Sequence, residues 1–195
     1  DLDASLVERF GLSAASELEA WHYGDPFFQS SPVVGSLNLD EFYEGQDLVE
    51  LTTRLFDGVG LEIRDMLEKS DLFEREGKCQ HAFCIDLDKS GDVRVLCNIK
   101  PTEYWMSTML HEFGHAVYDK YFAANQPRLL RGPTHIFVTE AIAMLFGRLS
   151  TNRRFLTEVV GVDAGRAERA AEAARAIEQR NQLIFVKWGL VMVHF

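Results

Sequence analysis

Residues 102–122 read TEYWMSTMLHEFGHAVYDKYF, and the reading of this stretch governs the rest of the chain. Its apolar residues recur at helical spacing after Pro101, with Thr102 and Glu103 at the start, and the pattern predicts one helix over roughly 102–122. Within it lies His111-Glu112-Phe113-Gly114-His115. Positions four apart on an α-helix are rotated by about 40° and separated by about 6 Å along the axis. Both imidazoles therefore project from one face and are able to bind one tetrahedral ion. Glu112 sits one step round the helix, where it reaches water at such an ion instead of the ion itself, the geometry of a general base in a zinc hydrolase. The plainer alternative is a solvated helix face that happens to carry two histidines.

A zinc site needs a third protein ligand, and Glu140, on the next predicted helix, is the leading candidate. The intervening loop, Asn125 to Pro133, is long enough for the second helix, expected from about Thr134 to Leu149, to fold back antiparallel and present one carboxylate. Other candidates carry less weight. His135 suits a loop or helix-start hydrogen bond better than ligation, and His22 and His194 lie on apolar segments where packing or a hydrogen bond accounts for them. Asp119 and Glu158 serve only with unusual turn geometry.

Working outward, Gln80–Leu87 and Val93–Ile99 are short β-rich runs joined by Asp88-Lys89-Ser90-Gly91-Asp92, which predicts a β-hairpin. Upstream, Asp40 is placed to cap a long amphipathic helix whose stripe is Leu48, Leu51, Leu55 and Phe56, continuing past Gly58 and Gly60 to Ile63 and Leu67. Residues 2–22 show helical spacing interrupted at Gly11, with Ser13 placed to cap a second helix. Turn chemistry at 24–32 leaves Phe27 and Phe28 expected beneath neighbouring elements. Downstream, alternating Ala and Glu/Arg predicts a solvent-facing helix from Asp163 to about Arg180, and the last fifteen residues are apolar enough to be buried. The expected fold is mainly α with one small antiparallel β-hairpin. It is read as a single domain over 1–195, with a helical scaffold over 1–76, the hairpin and site helices over 77–150 and a helical part over 151–195.

The 195 residues, 47% hydrophobic and 26% charged, have the balance of a folded protein with a real core. Thirty acidic against twenty basic residues give a formal charge of -10, and no cluster of Lys and Arg offsets it, which argues against nucleic acid as a partner. The longest apolar stretch, Leu183 to Phe195, is broken by Lys187 and falls short of the about 20 residues a bilayer needs, so no membrane partner is expected. No basic, apolar signal peptide opens the sequence. Three cysteines, Cys79, Cys84 and Cys97, make no disulfide framework and fit a reducing cytoplasm. A start at Asp1 without Met and an end inside an apolar segment suggest a piece of a longer protein.

The order hairpin, HExxH helix, Arg-Gly loop, glutamate helix resembles the gluzincin metallopeptidases, and in particular the angiotensin-converting-enzyme (peptidyl-dipeptidase) and thimet oligopeptidase/oligopeptidase F families. The residues that carry the likeness are His81-Ala82-Phe83-Cys84, His111 to His115, Leu130-Arg131-Gly132 and Thr139-Glu140-Ala141-Ile142, within roughly 71–195. The resemblance implies a zincin-like catalytic domain that cuts short peptides in a deep cleft. Zinc would be held by His111, His115 and Glu140, with Glu112 as general base. It also implies that the strand with His81 and Ala82 pairs with the extended substrate backbone. The competing reading of His81 is an ordinary strand residue. Cys79 and Cys97 would stand on the two hairpin strands, bonded as in some relatives or free and packed.

Two departures stand out. The position where angiotensin-converting relatives carry an Asp that steadies a metal-binding imidazole is Met144 here. The Tyr and His that stabilise the oxyanion in those families fall beyond Phe195. The rival functional readings are a non-catalytic metal- or peptide-binding module, an inactive truncated catalytic fragment, and a structural helical domain with an accidental motif.

Overall fold

The fold is taken from a computed structural model that describes residues 2–24, 31–32, 38–122 and 125–195. Phe27 and Phe28 lie outside them. Two compact units emerge, residues 38–168 and residues 1–37 with 169–195. The architecture is mainly helical with a two-stranded antiparallel hairpin, as the sequence pattern predicts.

In the smaller unit, helix α1 (Leu2–Phe10) buries Leu6 and ends at Gly11, whose φ of 64° is open to glycine without a side-chain clash. The second helix expected after Ser13 is instead two 3₁₀ turns, Ala15–Glu17 and Ala20–Tyr23. His22 is satisfied locally, its Nδ1 accepting from Glu19 N at 2.8 Å.

The larger unit begins with a correction. The long helix expected from Asp40 is broken into a 3₁₀ turn (Asp40–Phe42), helix α2 (Leu48–Gly58) and a short helix α3 (Arg64–Leu67). Asp47 is the cap of α2, accepting from Val49 N at 2.9 Å and Glu50 N at 3.2 Å. Gly60, at a φ of 77°, turns the chain before α3. Asp40 accepts from Glu103 N at 2.8 Å, so it serves the helix that carries the histidines.

Strands β1 (Phe83–Asp86) and β2 (Val93–Leu96) pair antiparallel with Cys84 opposite Val95, and both are shorter than expected. Beyond Leu96 the chain finds other partners. Asn98 Nδ2 donates to Cys79 O at 2.9 Å, and the backbone N–H of Ile99 turns to Leu72 O at 2.9 Å. The far edge of β2 is taken by residues 71–72, with Asp71 N donating to Val95 O and Cys97 N to Asp71 O, each at 2.9 Å. Among the described residues the outer edge of β1 stays unpaired. At the foot of the hairpin the buried Lys78 ammonium donates to Asp71 O and Oδ1 at 2.9 Å, Phe73 O at 2.7 Å and Cys97 O. The three thiols are free, with Cys97 buried and Cys79 exposed.

Helix α4 (Glu103–Lys120) is capped by Thr102 and buries Met106, Met109, Leu110, Phe113, Ala116 and Val117. Helix α5 (Ile136–Gly147) packs across it where side chains are smallest. A Cβ on Gly114 would lie 2.9 Å from Ala143 Cα, and one on Gly147 would lie 3.2 Å from Ser107 O and 3.3 Å from His111 Cβ. Phe56 of α2 closes the other side, stacking on Phe146 at 4.8 Å between ring centres.

Helix α6 (Ala164–His194) begins at Asp163, whose Oδ1 accepts from Gly165 N at 3.0 Å and Arg166 N at 3.1 Å. Its Ala167, Ala170, Ala171 and Ala174 are buried, so the segment read as solvent-facing has one packed face. The burial expected of the last fifteen residues is not found among the described residues. Ile184 is buried, whereas Leu183, Val186, Leu190, Val191 and Val193 are exposed, because one helix apolar on every side covers only the stripe it turns inward. No described helix is long and apolar enough to cross a membrane.

Candidate metal centre

The close α4–α5 contact sets the distances at the site. With only Gly114 and Gly147 between the backbones, Glu140 on the first half of α5 reaches the histidine face of α4. Its Oε2 lies 3.5 Å from His111 Nε2 and 3.6 Å from His115 Nε2. The two rings, one turn apart, have centres 4.8 Å apart and stand at 81° to each other. One ligand atom from each of the three residues lies within 4.8 Å of the others, and no other such group occurs among the described residues.

Bonds of about 2.0–2.1 Å at tetrahedral angles put neighbouring donor atoms about 3.4 Å apart. The two nitrogen–carboxylate separations nearly meet that spacing without rearrangement. Two imidazoles and one carboxylate are also the donor set that suits zinc. The residues present fit the ion, and the ligand side chains are 29% (His111), 15% (His115) and 46% (Glu140) exposed, which leaves an open approach.

The electrostatics follow from burial. Desolvation lowers the His111 pKa, with His115 adding to the effect and the Glu140 charge opposing it, so the ring stays neutral, as a ligand must. Glu112 is only 8% exposed and makes no hydrogen bond or ion pair among the described residues. Burial, reinforced by the charge of Glu140, pushes its carboxyl up to about 7, the range of a base poised for neutral pH. Burial also raises the Cys84 thiol and pushes that of Cys97 up to about 12, so both stay protonated and stand outside the chemistry.

Beyond His115 a cavity of about 370 Å³ opens between Cys84 and Asp86 of β1, Asp119 at the end of α4, the loop at Arg131 and Thr139 of α5. The loop is fastened to the hairpin turn: Arg128 donates to Asp88 O at 2.9 Å, and Arg131 to Lys89 O at 3.3 Å and Ser90 Oγ at 3.2 Å. Asp119 is half-buried, and desolvation with the nearby Asp86 charge raises its carboxyl pKa against the opposing pull of His115 and Lys89.

A family model described as Peptidase family M3 matches residues 61–183. The chain belongs to peptidase family M3. The match runs over the hairpin, α4, the Arg-Gly loop and α5, the same order of elements that carries the resemblance in the sequence. Membership of the M3 family implies zinc-dependent hydrolysis of peptide bonds, and the histidine–histidine–glutamate group is placed to bind the ion. No curated protein matches the chain.

Against the sequence expectations, the structure brings His111, His115 and Glu140 together and leaves the other weighed candidates apart from the group. His135 caps α5, its Nδ1 accepting from Phe137 N at 3.2 Å. Glu158 is exposed and 3.9 Å from Arg154. His81 is exposed and Ala82 half-buried, both just before β1, and neither is linked to the group by a hydrogen bond among the described residues. Met144 is exposed on α5. Thr139, quoted in the sequence reading without a role of its own, has its Oγ1 2.7 Å from His115 Nδ1. The signal available was its place immediately before the glutamate.

Proposed function

We propose that the chain carries the zinc-dependent centre of an oligopeptidase-type member of the family, cutting short peptides in the cytoplasm with Glu112 as general base. The observation that carries the reading is a buried, unpaired carboxylate one residue from a His–His–Glu group at metal-binding distances. His111, His115 and Glu140 would hold zinc, which would supply Lewis acidity and lower the pKa of water to about 7. Glu112 takes the proton of the attacking water and passes it to the leaving nitrogen. Its carboxylate form accepts that proton and its acid form donates it, so one side chain serves both steps.

The free edge of β1 suits an extended peptide, whose backbone would pair with outward-facing groups of Phe83–Asp86, with His81 and Ala82 continuing that edge. Backbone pairing asks little of side chains, so this edge would accept peptides of varied sequence.

Metal analysis and a quenched peptide substrate test the reading together. The expected result is about one zinc per chain, lost in His115→Ala and kept in His22→Ala. Glu112→Gln should keep zinc and lose about 10²- to 10⁴-fold in turnover. Zinc lost with Glu112→Gln, or turnover kept, overturns the assigned role. Zinc bound without any cleavage points to a metal- or peptide-binding module.

A further inference from the structure

We propose that Thr139 is a positioning residue of this centre: its hydroxyl holds the His115 ring so that the bare Nε2 faces Glu140, and thereby sets the affinity for the metal. The inference rests on reading His111, His115 and Glu140 as the zinc ligands.

At 2.7 Å, His115 Nδ1 and Thr139 Oγ1 share a hydrogen bond, and a neutral imidazole carries only one proton. When that proton sits on Nδ1 and is donated to Oγ1, Nε2 keeps a lone pair aimed into the cluster. When the hydroxyl donates to Nδ1 instead, the proton sits on Nε2 and blocks ligation. Ligation selects the first arrangement. An Nε2 that takes a metal ion carries no proton, so the single proton of the ring lies on Nδ1 and is donated to Oγ1, 2.7 Å away.

The placement also couples the two helices. Thr139 directly precedes Glu140 on α5, so one turn delivers both the third ligand and the partner that fixes the ring of the second. His111 makes no ring hydrogen bond to a protein group among the described residues, which leaves the two histidines unequal: His115 anchored, His111 freer. The partner is moreover uncharged. A hydroxyl both accepts and donates, and it adds no negative charge to the centre, unlike a carboxylate in the same place.

Zinc affinity measured by chelator competition on the full chain tests this, together with the ring ¹⁵N shifts of His115 in metal-free protein. Thr139→Val should weaken zinc about 10- to 100-fold, the range for loss of such a partner, and Thr139→Ser should restore it to within about threefold. The ¹⁵N shifts should report the Nδ1–H tautomer in the parent and a mixture in Thr139→Val. Equal zinc affinity in the parent and the valine variant, failure of serine to rescue, or an Nε2–H tautomer in the parent overturns the proposal. Where Thr139→Val does not fold, the tautomer in the parent and the affinity of Thr139→Ser decide it. A parent that takes up no zinc overturns the zinc reading itself, and the tautomer then decides the orienting role alone.

Discussion

The foot of the hairpin and the face of α4 both place charged groups in poor contact with water, and they treat them in opposite ways. The Lys78 side chain is 1% exposed, and its ammonium meets four acceptors, one of them the Asp71 carboxylate. Glu112, 8% exposed, has no partner among the described residues, and its carboxyl is driven up to about 7. A buried charge with every bond filled ties backbone segments together. A buried charge left empty is unfavourable in the resting fold and persists where chemistry uses it.

This contrast breaks first at Lys78. Lys78→Met takes the donor from the carbonyls of Asp71, Phe73 and Cys97 while the exposed Asp71 carboxylate keeps Arg75, and stranding buried acceptors in this way costs about 1–3 kcal/mol. Denaturant unfolding should show that loss, while protein that remains folded keeps its zinc, since the network belongs to the hairpin. Loss of zinc without loss of stability would mean the two regions are not separable as described.

A smaller effect is expected at the helix crossing. Gly114→Ala adds a methyl 2.9 Å from Ala143 Cα, a backbone atom that cannot rotate away. Overpacking of this kind costs about 1–3 kcal/mol, and the better helix propensity of alanine returns about 1 kcal/mol, for a net loss of up to about 2 kcal/mol. Because α5 must shift to make room, zinc should weaken along with stability. Calorimetry and chelator titration on the same sample check the pairing.

A third test is pH. In metal-free protein Glu112 holds its proton more tightly folded than unfolded, with the carboxyl raised from 4.5 to about 7. The folded state therefore binds more protons across that window, and its stability falls as pH rises through it. Thermal melts of metal-free parent and Glu112→Gln between pH 5 and pH 8 should diverge, the parent losing stability relative to the variant. Parallel curves would show that Glu112 is not held against ionisation.

The parts legible in the sequence are those fixed within a few turns of chain. His111 and His115 face one way because both belong to one helix, and the Asp88–Asp92 turn marks a hairpin whichever strands it joins. Boundaries decided by distant side chains were not legible. The ladder stops short of Gln80 because the Asn98 side chain, not a backbone N–H, donates to Cys79 O and Gln80 O. The stripe read as one helix from Asp40 to Leu67 divides because the chain turns after Gly58, and the hydrophobic pattern carries through such a turn unmarked.

Local periodicity by itself determined the helical class, the hairpin and the two-histidine face with its adjacent carboxylate, since helical geometry repeats wherever the sequence permits it. Only the tertiary structure decided that Glu140 stands about a tetrahedral edge from both rings, that Thr139 meets His115 and that the Glu112 side chain is buried without a partner among the described residues. Each depends on how closely two helices cross. That approach is set by the absence of side chains at Gly114 and Gly147, whose meaning appears only once the helices are packed.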